Sequence, residues 1–185
     1  MRIISGSAGS RSISVPKSVA RPSTDRLREA LFSILADRLH GAKVLDLFAG
    51  SGALGIESLS RGAASAIMVD DNREAQKVIT KNLTSLGFDN GRAVQADVFR
   101  FLDRDNATYD LIFADPPYFK RPGDRDFVNA LLTHERLAGR LADDALLVVE
   151  DPTNNQRDQV TGWNLLDRRS YGGCGILFYQ WALIT

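Results

Sequence analysis

The sequence predicts an α/β fold built on a mostly parallel sheet covered by helices on both faces. Three observations carry this. From Lys43 onward, apolar strand-like runs alternate with helical ones. A glycine-rich turn, Gly50-Ser51-Gly52-Ala53-Leu54-Gly55, joins the first strand to the first helix of that series. The chain ends differently, with two β-rich runs joined by Gly172-Gly173-Cys174, which predicts an antiparallel hairpin.

The elements follow in order. Arg2 to Ser5 and Ser12 to Val15 flank Gly6-Ser7-Ala8-Gly9-Ser10 and predict a small N-terminal hairpin. Arg21-Pro22 breaks the chain, because the residue before proline disfavours helix. Ser23 or Thr24 caps a helix with Leu27, Ala30, Leu31, Ile34 and Leu35 on one face, ending near Gly41. Val44 to Phe48 is strand, Ala53 to Ser60 helix, Ala66 to Val69 strand and Asn72 to Leu86 helix, closed by Gly87. Ala93 to Ala96 is a short strand, Phe99 to Leu102 a short helix, and Tyr109 to Ala114 a strand ending in Asp115. Asp126 to Leu141 reads as one helix and Ala145 to Glu150 as a strand; the terminal hairpin pairs Trp163 to Tyr171 with Gly175 to Leu183. The expected division is an arm, residues 1 to 22, and a single domain, residues 23 to 185.

Composition narrows the function classes. With 185 residues, 44% hydrophobic and 25% charged, the chain can bury one sizeable core. No apolar run is long enough for a signal sequence or a membrane span, so a cytoplasmic location is expected. The single Cys174 cannot close an internal disulfide, and His40 and His134 lack neighbours at ligand spacing, so no metal is expected. Net charge is zero but unevenly spread: residues 1 to 43 hold eight basic side chains and three acids. Before residue 23 there are four cations and no acid, which fits either a solvated leader or an arm that lies on a phosphate backbone.

The glycine loop alone is ambiguous, because nicotinamide enzymes place the same pattern between a strand and a helix. Asp46, inside the strand and four residues before Gly50, separates the readings. A carboxylate there is costly to bury unless a cation meets it. The ammonium of a methionine moiety would, whereas a pyrophosphate would be repelled; the plain alternative is that Asp46 only accepts from loop amides. Phe48, Gly50, Ser51 and Gly52 complete this loop. Asp70, after the second strand, stands where an acid accepts from both ribose hydroxyls, with Asp71 or Asn72 as the helix cap. Asp97 after the third strand either accepts from an adenine amine, with the Val98 amide facing the ring, or simply caps the short helix.

Asp115-Pro116-Pro117-Tyr118 follows the strand Leu111 to Ala114. Ligands of open parallel sheets sit beyond the carboxyl ends of the strands, so this loop and the glycine loop face one crevice. Two prolines stiffen the loop and delete two amide donors, leaving it rich in acceptors. That suits an amine whose lone pair is delocalised into a nucleobase. If the Asp115 carboxylate and the Pro116 carbonyl each accept one amine hydrogen, the nitrogen rehybridises and its lone pair becomes available. Tyr118 can stack on the base.

Three strings in this order, RPSTDRLREALFSIL at Arg21 to Leu35, VLDLFAGSGALGIESLSRG at Val44 to Gly62 and ADPPY at Ala114 to Tyr118, resemble the RsmD-type 16S rRNA guanine-N2 methyltransferases over nearly the whole chain. The resemblance implies a Rossmann-like S-adenosylmethionine-dependent methyltransferase fold with a seven-stranded sheet, an antiparallel last hairpin and an N-terminal hairpin implicated in RNA contact. It implies S-adenosylmethionine as cofactor, with Asp46, Gly50 and Gly52 at the methionine, Asp70 at the ribose, Asp97 at the adenine, and Asp115 and Tyr118 at the guanine. It implies 16S rRNA, free or in the small subunit, as partner of a monomer, with Arg11, Arg21, Thr24, Arg26 and Arg28 toward the RNA or substrate mouth. Ser23 stands where threonine is usual and Asp70 where glutamate is more frequent. Methylation of adenine N6 is the leading alternative, since the same loop serves that amine, but no second domain is available to read a DNA sequence. A dinucleotide oxidoreductase and a silent binding protein are disfavoured by Asp46 and by the complete set of loop residues.

Overall fold

The apolar runs pair side by side in one seven-stranded sheet of order β3-β2-β1-β4-β5-β7-β6, shown by a computed structural model that describes residues 1–17, 24–118, 123–155, 157 and 160–182. Its strands are β1 (Lys43–Leu47), β2 (Ser65–Asp70), β3 (Gly91–Gln95), β4 (Tyr109–Ala114), β5 (Leu141–Pro152), β6 (Trp163–Tyr171) and β7 (Cys174–Trp181). The first five run parallel, and β7 lies antiparallel between β5 and β6. The helices are α1 (Asp25–Ile34), α2 (Ala53–Ser60), α3 (Arg73–Leu86), α4 (Val98–Arg104) and α5 (Phe127–Leu132). The strand order reverses between β1 and β4, and such a switch opens a crevice at the carboxyl ends of the strands.

Alternation along each strand divides the core into two layers. Val44, Leu111, Phe113 and Val148 face α1, α2 and α3, where they meet Leu31, Ile56 and Ile79. Leu45, Leu47, Ile112 and Val149 face α4 and α5, where they meet Leu102, Val128 and Leu131. Each buried aliphatic side chain is worth about 1.5–3 kcal/mol, so both layers are needed to hold the sheet. Polar caps set the helix ends. Thr24 Oγ1 accepts from the Leu27 amide, Asn72 Oδ1 accepts from the amides of Glu74 and Ala75, and Gly87 ends α3 in the left-handed region.

The N-terminal strands pair over one bridge, Arg2 with Ser12, and the Ile3 and Ile13 side chains join the layer beneath α1 to α3. The amides of Ser7 and Ala8 donate to the carbonyl and hydroxyl of Ser60 at the end of α2. Gly6 is required there, because a Cβ would lie 1.9 Å from the Ser60 carbonyl oxygen. Residues 1–17 are therefore a packed part of the fold and not a solvated leader. Arg21, Ser23 and the boundary placed between residues 22 and 23 lie outside the described residues.

Several boundaries differ from the sequence expectations. The run from Asp126 to Leu141 is not one helix: Asp126 caps a six-residue α5, Thr133 ends it, and a 3-10 turn over Ala138–Arg140 leads straight into β5. Trp163 Nε1 donates to the Leu132 carbonyl, satisfying a group that a continued helix would have used. β5 is correspondingly long, and a bulge with Asp144 at φ 59° lets Tyr109 pair with Leu141 and Leu111 with Leu146. The first helix stops at Ile34 before a separate 3-10 turn, Ala36–Arg38. The fourth runs from Val98 to Arg104, its start set by Asp97, which accepts from the Arg100 amide. Leu183, expected in the last strand, lies outside the described residues. Among those described, no helix is long and apolar enough to cross a membrane.

Arm, α1 and α2 meet at one buried carboxylate. Glu57 has no exposed surface; it accepts from the amides of Ile4 (2.7 Å) and Ser5 (3.0 Å) and from Arg61 Nε (2.7 Å), with Arg28 Nη1 3.7 Å away. Arg28 is equally buried and donates to the Arg2 carbonyl and to Asp25. Breaking a buried pair by neutralising one member leaves the other charge uncompensated, at a cost of about 3 kcal/mol. Glu57→Gln should lower stability by about that amount in urea denaturation; a loss below about 1 kcal/mol would show that Asp25 alone compensates Arg28.

Candidate active site

Beyond the carboxyl ends of β1, β2, β3 and β4 lie the acids that the sequence singled out. Asp46 follows Leu45 on the strand and so occupies a core position on the α2 side, 1% exposed, with Oδ2 accepting from the Gly55 amide at 2.9 Å. Burial pushes its carboxyl up to about 8, the Gly55 amide opposes that shift, and the negative charge of Asp70 adds to it. Asp46 does hydrogen-bond the loop, as the plainer reading had it, yet the one bond leaves a desolvated carboxylate that a cation would stabilise.

The loop after β1 turns through Phe48 (φ 59°), Gly50 (φ 54°) and Gly52 (φ 74°). Left-handed backbone suits the glycines but costs of order 1 kcal/mol at Phe48. The cost is offset by packing, since the Phe48 ring lies edge-on to Phe127 (5.6 Å) and Phe99 (6.4 Å). Phe48 thus reaches the site through its backbone while its ring joins an aromatic cluster over which Arg125 stacks, 4.0 Å above Phe99. Ser51 is 6% exposed and lends its carbonyl to Asn82 of α3.

Asp70 bridges the crevice. Oδ2 accepts from the Gly50 amide at 2.8 Å and Oδ1 from the Asn72 amide at 2.9 Å. A loop amide that would cradle a phosphate is thereby given to a protein carboxylate, and a pyrophosphate at this turn would meet two acids. Asp71 is exposed, and Asn72 takes the capping position. Asp97, also exposed, caps α4; the Val98 side chain is buried, so only its backbone at the start of α4 can serve a ligand. The residues present could hold S-adenosylmethionine: three acids, one of them buried where it could meet a cation, lie at the carboxyl ends of three successive strands.

The loop after β4 stands across the switch point. The Asp115 amide approaches the Leu47 carbonyl (3.4 Å), tying this loop to the end of β1. Pro116 is buried and Pro117 exposed. Tyr118 donates its hydroxyl to Glu150 Oε1 at 2.7 Å; burial first, and Glu150 second, push the phenol far above its ordinary range, so it stays protonated. Burial and the neighbouring Glu150 also push the Cys174 thiol above its ordinary range. A cleft lined by Leu27, Leu31, Phe113, Asp115, Val148 and Glu150 runs from this loop toward α1.

Among the basic residues expected at RNA, Arg26 and Arg11 are exposed, and Arg11 also donates to the Ser85 and Leu86 carbonyls at the end of α3. Thr24 is occupied as the cap of α1. Arg28 requires a correction: with no exposed surface it cannot touch RNA, and it supports the junction at Glu57 instead. The contrast could not be seen locally, because the partner that draws Arg28 inward lies in α2. Sequence reasoning also assigned no role to Glu150, Asp151 or Arg157. Arg157 forms a two-bond pair with Asp126, the cap of α5, and a further bond to Asp151. The one available signal was the Glu150-Asp151 pair closing an apolar run.

The family model described as "Conserved hypothetical protein 95" matches residues 1–180. The chain is 38% identical to "Ribosomal RNA small subunit methyltransferase D" of Escherichia coli (strain K12), over 97% of this chain and 89% of that protein. A solved Escherichia coli structure, that of the putative methyltransferase yhhF, superposes with a TM-score of 0.81 at 36% identity, covering 98% of this chain and 97% of that one. The hypothetical protein TTHA0928 of Thermus thermophilus does so with 0.80 at 31%, covering 96% and 98%. The match over nearly its full length makes the chain a member of the Conserved hypothetical protein 95 family, the RsmD-type S-adenosylmethionine-dependent methyltransferases.

Proposed function

We propose that the protein methylates the exocyclic N2 amine of a guanine in 16S rRNA. The observation that carries this is the acceptor-rich loop Asp115-Pro116-Pro117-Tyr118 set against Asp46 and Asp70 across the β1–β4 switch point. The name of the Escherichia coli relative supports small-subunit rRNA as the substrate class.

When bound, S-adenosylmethionine supplies an electrophilic methyl on a sulfonium. The chain's own residues do the rest. Asp46 and the glycine loop hold the methionine end, Asp70 the ribose, and Asp97 with the Val98 backbone the adenine. Asp115 and the Pro116 carbonyl accept the two amine hydrogens, which turns the nitrogen lone pair out of conjugation and stabilises the positive charge that develops on it. No strongly basic group is needed, because positioning and electrostatics supply the gain. Tyr118, tied to Glu150, gives the base a fixed aromatic neighbour. Arg26, with Arg21 of the arm side, is assigned to the RNA backbone, and residues 1–22 to an RNA-contacting arm on the 23–185 methyltransferase unit.

Asp115→Ala should abolish methyl transfer while S-adenosylhomocysteine still binds, since an interaction made chiefly in the transition state affects turnover when lost. Methyl transfer to 16S rRNA, followed by mass-spectrometric nucleoside analysis, measures this and names the product; wild-type turnover in the variant would remove the loop from catalysis, and N6-methyladenosine as product would replace guanine by adenine. Asp70→Ala should weaken cofactor affinity by about 2 kcal/mol in calorimetry, because charge-assisted hydrogen bonds are lost; unchanged affinity would place the ribose acid elsewhere.

Asp46 gives a pH dependence. Its carboxyl is raised from 3.8 to about 8 in the free protein, so between those values the folded chain holds a proton that the unfolded chain has released. Stability is therefore lost as pH rises through this window, and a cation at Asp46 favours the ionised form. Cofactor affinity should strengthen as pH climbs toward about 8, with the trend absent in Asp46→Asn. Parallel titrations of both proteins would place the cation away from Asp46.

A further inference from the structure

Two carboxylates, not one, face the proposed base. Ala114 and Val149 are register partners on β4 and β5, so the next residues, Asp115 and Glu150, occupy neighbouring positions on adjacent strands. Both project to the α1 side, where they line the same cleft above Phe113 and Val148 and opposite Leu27 and Leu31. Both are half-buried. Like charges at neighbouring sheet positions repel, and such a pair is best tolerated where donors lie across both. Tyr118 supplies one donor, to Oε1 of Glu150, and the Cys174 thiol is a second hydrogen-bonding neighbour of this carboxylate. A carboxylate has two oxygens and about four acceptor positions, so these two bonds do not use up the group.

We propose that Glu150 is a specificity-determining residue that reads the N1–H of the target guanine beside the amine held at Asp115; this rests on the guanine-N2 reading above. Guanine presents N1–H and N2–H2 side by side on one edge, two adjacent donors for two adjacent carboxylates. Adenine presents a lone pair at N1 next to its N6 amine, and cytosine a lone pair at N3 next to its N4 amine. Either would set that lone pair against Glu150. The Asp-Pro-Pro-Tyr loop serves any exocyclic amine, so the choice among amines falls to the group next to it. The apolar walls at Leu27, Leu31 and Leu54 offer no competing donor or acceptor side chain and strengthen the discrimination by excluding water.

The test separates N1 from N2. Once the methylated guanine is mapped, small-subunit particles are reconstituted with ligated 16S rRNA carrying either guanosine or 2-aminopurine ribonucleoside at that position. The analogue keeps the C2 amine but has a lone pair at N1. Wild-type protein should favour guanosine in kcat/KM by about tenfold to a hundredfold. Glu150→Gln can offer an amide N–H to the analogue and should bring the ratio close to one, with S-adenosylhomocysteine affinity unchanged. Glu150→Ala is read in the same way should the amide variant fail to bind S-adenosylhomocysteine. Tyr118→Phe should keep the wild-type ratio, because it removes the phenol bond and leaves the carboxylate.

Equal use of both bases by the wild type, or an unchanged ratio in Glu150→Gln, overturns the assignment while the guanine-N2 reading stands. An equal collapse of the ratio in Tyr118→Phe also overturns it, since Glu150 would then act only by seating the loop. Transfer to neither base by the wild type ends the guanine-N2 reading itself and the assignment with it.

Discussion

A single carboxylate without solvent contact, Glu57, decides where the N-terminal arm and the first helix can sit. It takes two arm amides and Arg61, and Arg28 completes the junction from α1. Charges are taken out of water only at a cost of several kcal/mol each, so the arrangement persists because every element that contributes also gains a fixed place. The consequence reaches the site. Leu27 and Leu31 are carried on the same helix as Arg28, and they form the wall of the cleft that faces Asp115 and Glu150. An arm that looked detachable is thus part of the support for this cleft.

The remaining acids divide the crevice by chemistry. Asp46 and Asp70 stand beside the glycine loop, and one of them occupies the Gly50 amide. A loop whose Gly50 amide is already taken by Asp70 has one donor fewer for a phosphate, although its backbone pattern matches that of dinucleotide-binding turns. Function here follows from what fills the loop, not from the glycines that shape it.

Much of the sheet was legible because each buried strand is an apolar run with its own turn signal. Asp46 and Asp115 could be singled out because an acid in or just after such a run contradicts burial, and the structure does place both at the carboxyl ends of central strands. Arg28 was misjudged for the opposite reason: a cation in a polar segment is consistent with solvent. Only its tertiary partner, Glu57, reveals that it is structural. The continuous helix expected from Asp126 to Leu141 failed because periodicity persists through His134 to Leu137 while the chain turns back toward β5 at Thr133. Glu150 ended a correctly placed strand and still received no role, since its neighbour Asp115 comes from a strand 35 residues away whose register no local pattern reports.

β5 emerges as the reference for the catalytic loop. At one end of the loop Tyr118 is tied to Glu150; at the other, Asp126 is held by the Arg157 fork, which also grips Asp151. Tyr179 of β7 donates to the Arg157 carbonyl and so fixes the fork to the antiparallel part of the sheet. Both anchors therefore lie on consecutive residues of one strand, Glu150 and Asp151, next to the register position of Asp115. A mechanism that relies on placing two acceptors at an amine, and not on a tuned base, needs its loop to keep a constant position relative to the cofactor acids. On the proposed mechanism, the antiparallel β6–β7 hairpin serves the loop by holding the strand on which that position is measured.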